Sequence, residues 1–236
     1  MSILEIKNVT SGYGEVQILW GMNISPEEGK LTCLVGGNGV GKTTLLRTIM
    51  GLNRTWQGSI TFGGQDITHS PAYAKADLGL VLVPEGRQLF TDMTVQENLE
   101  IGATNQRAHG KYQQNLERVF ALFPRLKERA VQKAGTLSGG EQQMVAVGRG
   151  IMADPRLLMI DELSLGLAPV LTLQLFETLR QLRKEGLTIV LVEQNVQMAL
   201  AVGDYAYVIA EEKSEMEGPA HKLMNDSHVR ETYLGL

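Results

Sequence analysis

The sequence predicts an α/β fold organised around a largely parallel sheet, and three observations lead there. Short apolar runs alternate with stretches of helical periodicity along most of the chain. Several of those runs, LGLVLV at 78–83 and LTIVLV at 187–192 among them, are continuously apolar, as strands buried on both faces are. A glycine-rich turn, GGNGVGKTT at 36–44, joins the apolar run Leu31–Val35 to a helical pattern carried by Leu45, Leu46, Ile49 and Met50.

Taken in order, residues 3–9 alternate and read as a strand. The run 31–35 feeds the glycine turn. Residues 58–62 form another strand, ending at the turn pair Gly63-Gly64, and the run 78–83 stops at Pro84. From about 96 to 153 the period becomes helical, with Leu116, Val119, Phe120, Leu122 and Phe123 as an apolar face. Arg125, Lys127, Arg129 and Lys133 in this stretch read as a solvated face. Strands return at 157–160, ending in Asp161-Glu162, and at 187–192, ending in Glu193-Gln194-Asn195. Leu171, Leu175, Leu179 and Leu182 mark the helix between them.

Composition narrows the class. The chain has 236 residues and a formal charge of −4, and neither a linker nor an internal repeat of 20 to 50 residues is visible. A single domain, 1–236, is expected, with an α/β body over 1–87 and 155–236 and a helical segment inserted at about 88–154. The mild acidity argues against an extended nucleic-acid surface, and no nucleic-acid partner is expected. Cys33 is the one cysteine, so there is no intrachain disulfide framework; in its strand it reads as a small buried hydrophobe. The four histidines have no metal-ligand spacing. No apolar run approaches the roughly 18 residues needed to span a bilayer, and MSILEIKNV lacks a signal-peptide core. A cytoplasmic chain is expected, with any membrane role coming through partners.

The chemistry sits at strand ends. Gly36, Gly41, Lys42 and Thr43 occupy the fixed positions of the pattern G-x-x-x-x-G-K-[ST], with Gly37, Asn38, Gly39 and Val40 between them and Thr44 following. Such a loop turns backbone N–H groups inward, and the helix it opens adds a positive end. Lys42 is expected to reach the outer phosphates of a triphosphate, and the Thr43 hydroxyl to take a place on Mg²⁺. Asp161 ends an apolar strand, where a carboxylate can hold Mg²⁺ opposite Thr43. The next residue, Glu162, can turn toward an attacking water as general base. LSGGEQQ at 137–143 precedes a helical pattern; Ser138 and Glu141 are spaced as a capping box. Ser138, Gly139 and Gly140 at that helix start also make a second anion cradle. Two cradles in one chain suit one triphosphate if the second comes from another subunit.

With both motifs and the LLMIDE strand in place, the sequence resembles the ATP-binding subunits of ABC transporters over essentially its whole length. The resemblance implies a P-loop NTPase with a RecA-like core, an antiparallel β subdomain and an inserted helical subdomain. It implies ATP and Mg²⁺ as cofactors and a head-to-tail dimer, homo- or heteromeric, with a second ATPase subunit. Transmembrane permease subunits and a periplasmic binding protein would complete the system, and the chain would sit peripherally on the inner face of the membrane. Carried over by motif, Tyr13 stacks on adenine, and Ser138, Gly139 and Gly140 contact the γ-phosphate held by the partner. Glu85 lies on the loop that senses Mg²⁺ and meets the permease. Gln194 occupies the switch position, and Ser164, Leu165 and Gly166 communicate across the dimer.

Within the family the chain is similar to the LivF-type ATPases of branched-chain amino acid importers. VPEGRQLF at 83–90, DMTVQENL at 92–99, SLGLAP at 164–169, VEQN at 192–195 and the terminal ETYLGL carry that likeness. The implied activity is ATP hydrolysis that powers import. Importers of urea and other amides share these features, so the substrate stays open between them. A soluble ABC-type ATPase acting on nucleic acid would carry two cassettes or a long coiled coil, and this chain has one cassette and no sustained heptads. No N-K-x-D sequence for guanine selection occurs.

Four positions depart from the common family pattern. Glu85 replaces glutamine, and the added charge near Glu162 is expected to raise the pKa of one of the two. Gln194 replaces histidine; it can hydrogen-bond a γ-phosphate without carrying charge. Gly37 and Leu163 stand where proline is usual, so a looser loop, a looser turn and slow hydrolysis are expected. A non-hydrolysing regulatory subunit is the alternative these changes raise. Glu211-Glu212-Lys213 replaces a glycine turn and has no functional reading.

Overall fold

Strand alternation builds the first sheet. β1 (Leu4–Tyr13) pairs antiparallel with β2 (Val16–Ile24) across a turn at Gly14-Glu15. After β3 (Leu31–Val35) leaves for the second sheet, β4 (Thr55–Phe62) and β5 (Gln65–Asp66) complete the order β2-β1-β4-β5. Gly63 and Gly64 have φ of 57° and 82°, as a two-residue hairpin turn requires. The expected first strand is longer than its alternating part, because register shifts between Ile6 and Val9 and between Ser11 and Gly12 break the period without ending the pairing. The same shifts hide β2 from a pattern search. The computed structural model describes residues 1–210 and 213–234, without the side chains of 213–215 and 233–234. Glu211-Glu212 and the last two residues of ETYLGL lie outside the described residues.

The second sheet holds the site. α1 (Lys42–Met50) follows β3, and α2 (Ala72–Asp77) precedes β6 (Leu80–Val83). The strand expected from 78 begins two residues later, because Gly79 turns the chain with φ 98°. Then come α3 (Val95–Gly102), α4 (Tyr112–Leu122), α5 (Pro124–Glu128) and α6 (Gly139–Met152). β7 (Leu157–Asp161), α7 (Pro169–Lys184), β8 (Thr188–Glu193), α8 (Val196–Val202), β9 (Tyr205–Ala210) and β10 (Lys213–Pro219) follow. The sheet order is β10-β9-β3-β8-β7-β6, parallel throughout except for β10 at the edge.

Side-chain alternation through this sheet separates two cores. Leu31, Cys33 and Val35 of β3, Leu158 and Ile160 of β7, and Ile189 and Leu191 of β8 join one core with residues of α6, α7 and α8. Leu34, Leu157, Met159, Val190 and Val192 face the other, with α1 and the antiparallel sheet. The same alternation turns Asp161 toward α1 and Glu193 toward α7 and α8. Lys75, fully buried, donates from Nζ to the carbonyl of Ile49 at 2.8 Å and so closes the end of α1.

The helical segment is tied down by two capping boxes, Thr94 with Glu97 on α3 and Ser138 with Glu141 on α6. Gly148 lets α6 approach its neighbours: a Cβ there would lie 3.0 Å from both Leu99 and Val119 side chains. The basic stretch is solvated but not idle. Arg125 pairs with Glu128, Lys133 with Asp92 and Arg129 with Glu141. Among the described residues no helix is long and apolar enough to cross a membrane.

Candidate nucleotide site

The glycine loop is shaped by close packing. A Cβ on Gly36 would lie 2.2 Å from the carbonyl oxygen of Ile209, and one on Gly41 would lie 2.9 Å from Leu19. Gly39 and Gly41 have φ of 81° and 93°, which side chains rarely adopt. α1 begins at Gly41 without a side-chain cap, so the N–H groups of its first turn remain available to an anion. Lys42 is only 5% exposed, and its Nζ donates to Gly36 O at 2.9 Å and Gly37 O at 2.7 Å. Burial pulls the Lys42 pKa down, opposed by Glu162, Asp161 and Glu193. Tyr13 ends β1 at 46% exposure, with its hydroxyl 3.4 Å from Thr44 Oγ1. Gly37 is exposed and has room around it: its nearest neighbour to a Cβ is Val40, 4.0 Å away.

Asp161 faces this loop. It is 2% exposed, and its Oδ1 is buried with no hydrogen-bond partner among the described residues. Its carboxyl is pushed up to about 6, chiefly by burial, with Glu85 and Glu162 adding and a Thr43 hydrogen bond and Lys42 opposing. The charge of Glu85 bears on Asp161, the most buried of the three carboxylates here. Glu162 has φ 50°, a left-handed conformation costly for a residue with a side chain. Its N–H to Val192 O at 2.9 Å and the complete burial of Leu163 hold it there. Leu163, which stands where proline is usual, is fully buried, so core packing restrains the turn from that side.

A cavity of about 390 Å³ collects Asn38, Gly39, Gly41, Lys42, Thr43, Thr44, Glu85, Glu162 and Gln194. Asp161, Thr43 and Glu85 also line an adjoining cavity of about 450 Å³. Ser138, Gly139, Gly140 and Glu141 line neither. At that helix start Ser138 Oγ donates to Glu141 Oε2 at 2.7 Å, and Arg129 Nε lies 2.9 Å from Glu141 Oε1. Both Glu141 oxygens are thus engaged, Oε2 in the cap and Oε1 with Arg129. A Cβ on Gly140 would lie 2.3 Å from a Leu171 methyl, so its bareness already serves packing against α7.

The loop bearing Glu85 is strained and anchored. Gly86, Arg87 and Gln88 have φ of 75°, 65° and 46° in succession. Arg149 of α6 donates to the carbonyls of Arg87 and Gln88 at 3.1 and 2.9 Å and lies over the Phe90 ring. Motif reading passed over one buried group beside the site. Glu193, at the end of β8, is 1% exposed and receives hydrogen bonds from Ser164 N at 2.8 Å and Ser164 Oγ at 2.9 Å. Burial raises its pKa, opposed by those bonds and one from the Asn195 backbone. Its signal was present: a carboxylate closing an otherwise apolar strand.

One cavity offers a cation and free helix N–H groups, and the adjoining one, sharing Thr43 and Glu85, a buried carboxylate with one oxygen lacking a partner among the described residues. A cation-bound nucleoside triphosphate answers both demands, which places the chain among phosphate-loop nucleotide-binding proteins of α/β architecture. The helical insertion with its second capped glycine pair narrows this further. The chain belongs to the ABC transporter family as an ATP-binding, ATP-hydrolysing subunit, with residues 19–164 matching the family profile. It is 43% identical over 235 residues to the high-affinity branched-chain amino acid transport ATP-binding protein BraG of Pseudomonas aeruginosa, covering 99% of this chain and 100% of that one. The probable branched-chain amino acid transport ATP-binding protein LivF of Archaeoglobus fulgidus is 33% identical, with 99% of each chain covered. The crystal structure of the ADP conformation of an ATP-binding cassette of an ABC transporter superposes with a TM-score of 0.84 at 30% identity, covering 100% of both chains.

Proposed function

We propose that this chain is the ATPase subunit of an importer of branched-chain amino acids. It works on the inner face of a membrane, in a head-to-tail dimer of ATPase subunits beneath permeases that a periplasmic binding protein supplies. The names of its relatives and the motifs at 83–90, 92–99, 164–169 and 192–195 support the substrate class. The single observation that carries the catalytic reading is the cavity joining Lys42, Thr43, Glu85, Glu162 and Gln194.

Lys42 exchanges its two carbonyl acceptors for phosphate oxygens, while the loop and first-turn N–H groups surround the β-phosphate. Tyr13 presents an exposed ring to the base. Thr43, Asp161 and Glu85 are a hard-oxygen set suited to Mg²⁺, and the orphaned Asp161 Oδ1 fits that use. Bound there, Mg²⁺ neutralises phosphate charge. Glu162 takes the proton of the attacking water, and Gln194 donates to the γ-phosphate. Ser138, Gly139 and Gly140, with Glu141 holding the cap, face the nucleotide of the other subunit. A groove of about 440 Å³ lined by Leu82, Pro84, Gln88, Phe90, Ile101 and Arg149 is suited to a permease segment beside the Glu85 loop.

The test is Glu162→Gln. ATP binding by calorimetry stays within a few-fold of the parent, while phosphate release falls by roughly 10²–10⁴. Undiminished hydrolysis would remove Glu162 from the role, and loss of binding would point to misfolding of the loop instead.

A further inference from the structure

We propose that Glu193 is a positioning residue: it fastens the loop that follows Glu162 to the turn that carries Gln194, so that both hydrolytic side chains are placed as one unit. The inference rests on the roles given to Glu162 and Gln194 above.

Strand alternation explains why this carboxylate is where it is. Glu193 continues the face of Ile189 and Leu191, so it enters the space between β8 and the loop before α7 rather than the phosphate cavity. There it accepts Ser164 N–H with Oε1 and the Ser164 hydroxyl with Oε2, while its own backbone leads directly into Gln194 and Asn195. Among the described residues it forms no ion pair. A carboxylate 1% exposed and held only by neutral donors is costly to keep, and no packing need explains it. What it offers is acceptors alone, one for each of the two Ser164 donors, so that one side chain on the β8 turn grips the other segment twice. Glutamine would turn an N–H₂ toward one of them.

Both segments are rigid on their far sides. Glu162 is pinned to Val192 and Leu163 is sunk in the core, so Ser164 is the next point of attachment along that loop. The Asn195 side chain accepts Met198 N–H at 3.0 Å and caps α8, so the turn after Glu193 is tied to a helix. A cavity of about 490 Å³ opens between the two segments, lined by Glu162, Ser164, Leu165, Glu193 and Gln194. Among the described residues, beyond the Glu162–Val192 bond at the loop's start, no other hydrogen bond joins Ser164–Leu165 to the turn at Gln194–Asn195.

The experiment uses the full chain with Glu193→Ala, Ser164→Ala, their double variant and Glu193→Gln. Glu193→Ala and Ser164→Ala should each lower kcat at least tenfold while nucleotide Kd moves less than threefold. The double variant should lose no more than the worse single one, because the two groups act together. Glu193→Gln should recover part of the loss. Hydrogen exchange provides a readout independent of turnover: in Glu193→Ala the amides of 163–166 and 194–196 should speed up together. Three results overturn the proposal: kcat within twofold of the parent, losses that multiply in the double variant, or faster exchange confined to one segment. Should Glu193→Ala fail to fold, Ser164→Ala, Glu193→Gln and their double variant complete the same cycle. Failure of the underlying reading looks different: Glu162→Gln would then hydrolyse ATP normally while Glu193 and Ser164 still couple in exchange.

Discussion

Asp161 shows how one buried carboxyl can be costly alone and useful with a ligand. Its pKa, lifted from 3.8 to about 6 by burial first, means the folded chain holds that proton more tightly than the unfolded one. Stability in the absence of divalent cation therefore falls as pH rises through about 4 to 6, and the full deficit, on the order of 3 kcal/mol, persists above that window. Asp161→Asn should unfold at a higher temperature than the parent at pH 8 in chelator, and the gap should close toward pH 4. Thermal unfolding across that range is the check; a gap independent of pH would show that the charge is not the cause. The same variant should lose the Mg²⁺-dependent part of nucleotide affinity. Gly36 is constrained more simply, since any Cβ would collide with the Ile209 carbonyl.

Elements translate strand period into function. In β7 and β8 the residues alternate between two cores, and the last residue of each inherits its face: Asp161 toward α1, Glu193 toward α7. The turn after β7 holds Glu162 at positive φ because Leu163 is buried behind it. Leu163→Ala should cost about 2–5 kcal/mol in denaturant unfolding, the usual range for a leucine removed from a packed core. It should also lower kcat beyond what stability explains, because Glu162 would relax from its strained backbone. Turnover that stays unchanged in a destabilised but folded variant would separate the packing from the catalysis. Arg149 plays the comparable part for the Glu85 loop, bonding two carbonyls across the junction of helical segment and sheet.

At the level of the whole chain, the phosphate loop and the capped helix start at Ser138, proposed above to serve one nucleotide, lie apart. The phosphate loop shares a cavity with Glu85, Glu162 and Gln194, while the capped glycine pair of α6 shares neither that cavity nor its neighbour. A second subunit would bring them onto one nucleotide. Glu162→Gln with ATP should therefore elute at twice the parent mass in size exclusion, and adding Ser138→Arg should return it to monomer. Reconstitution with the cognate permeases and binding protein tests the cargo: leucine, isoleucine or valine should stimulate hydrolysis severalfold, and stimulation by urea or amides instead would move the assignment to that class of importer.

The phosphate loop, the capped helix at Ser138 and the apolar strands ending in Asp161 and Glu193 were legible because each is a local pattern. Backbone geometry over five to ten residues decides whether N–H groups converge or a helix starts, and glycines, caps and apolar runs record that geometry directly. β2 was not legible, since its pairing survives register shifts that erase the alternation. Nor were the burial of Asp161, the restraint on Glu162 by Leu163 and the bonds of Glu193 to Ser164, 29 positions away. Those depend on which face of a strand meets which neighbour and on how much water is excluded there, and residues distant in the chain set both.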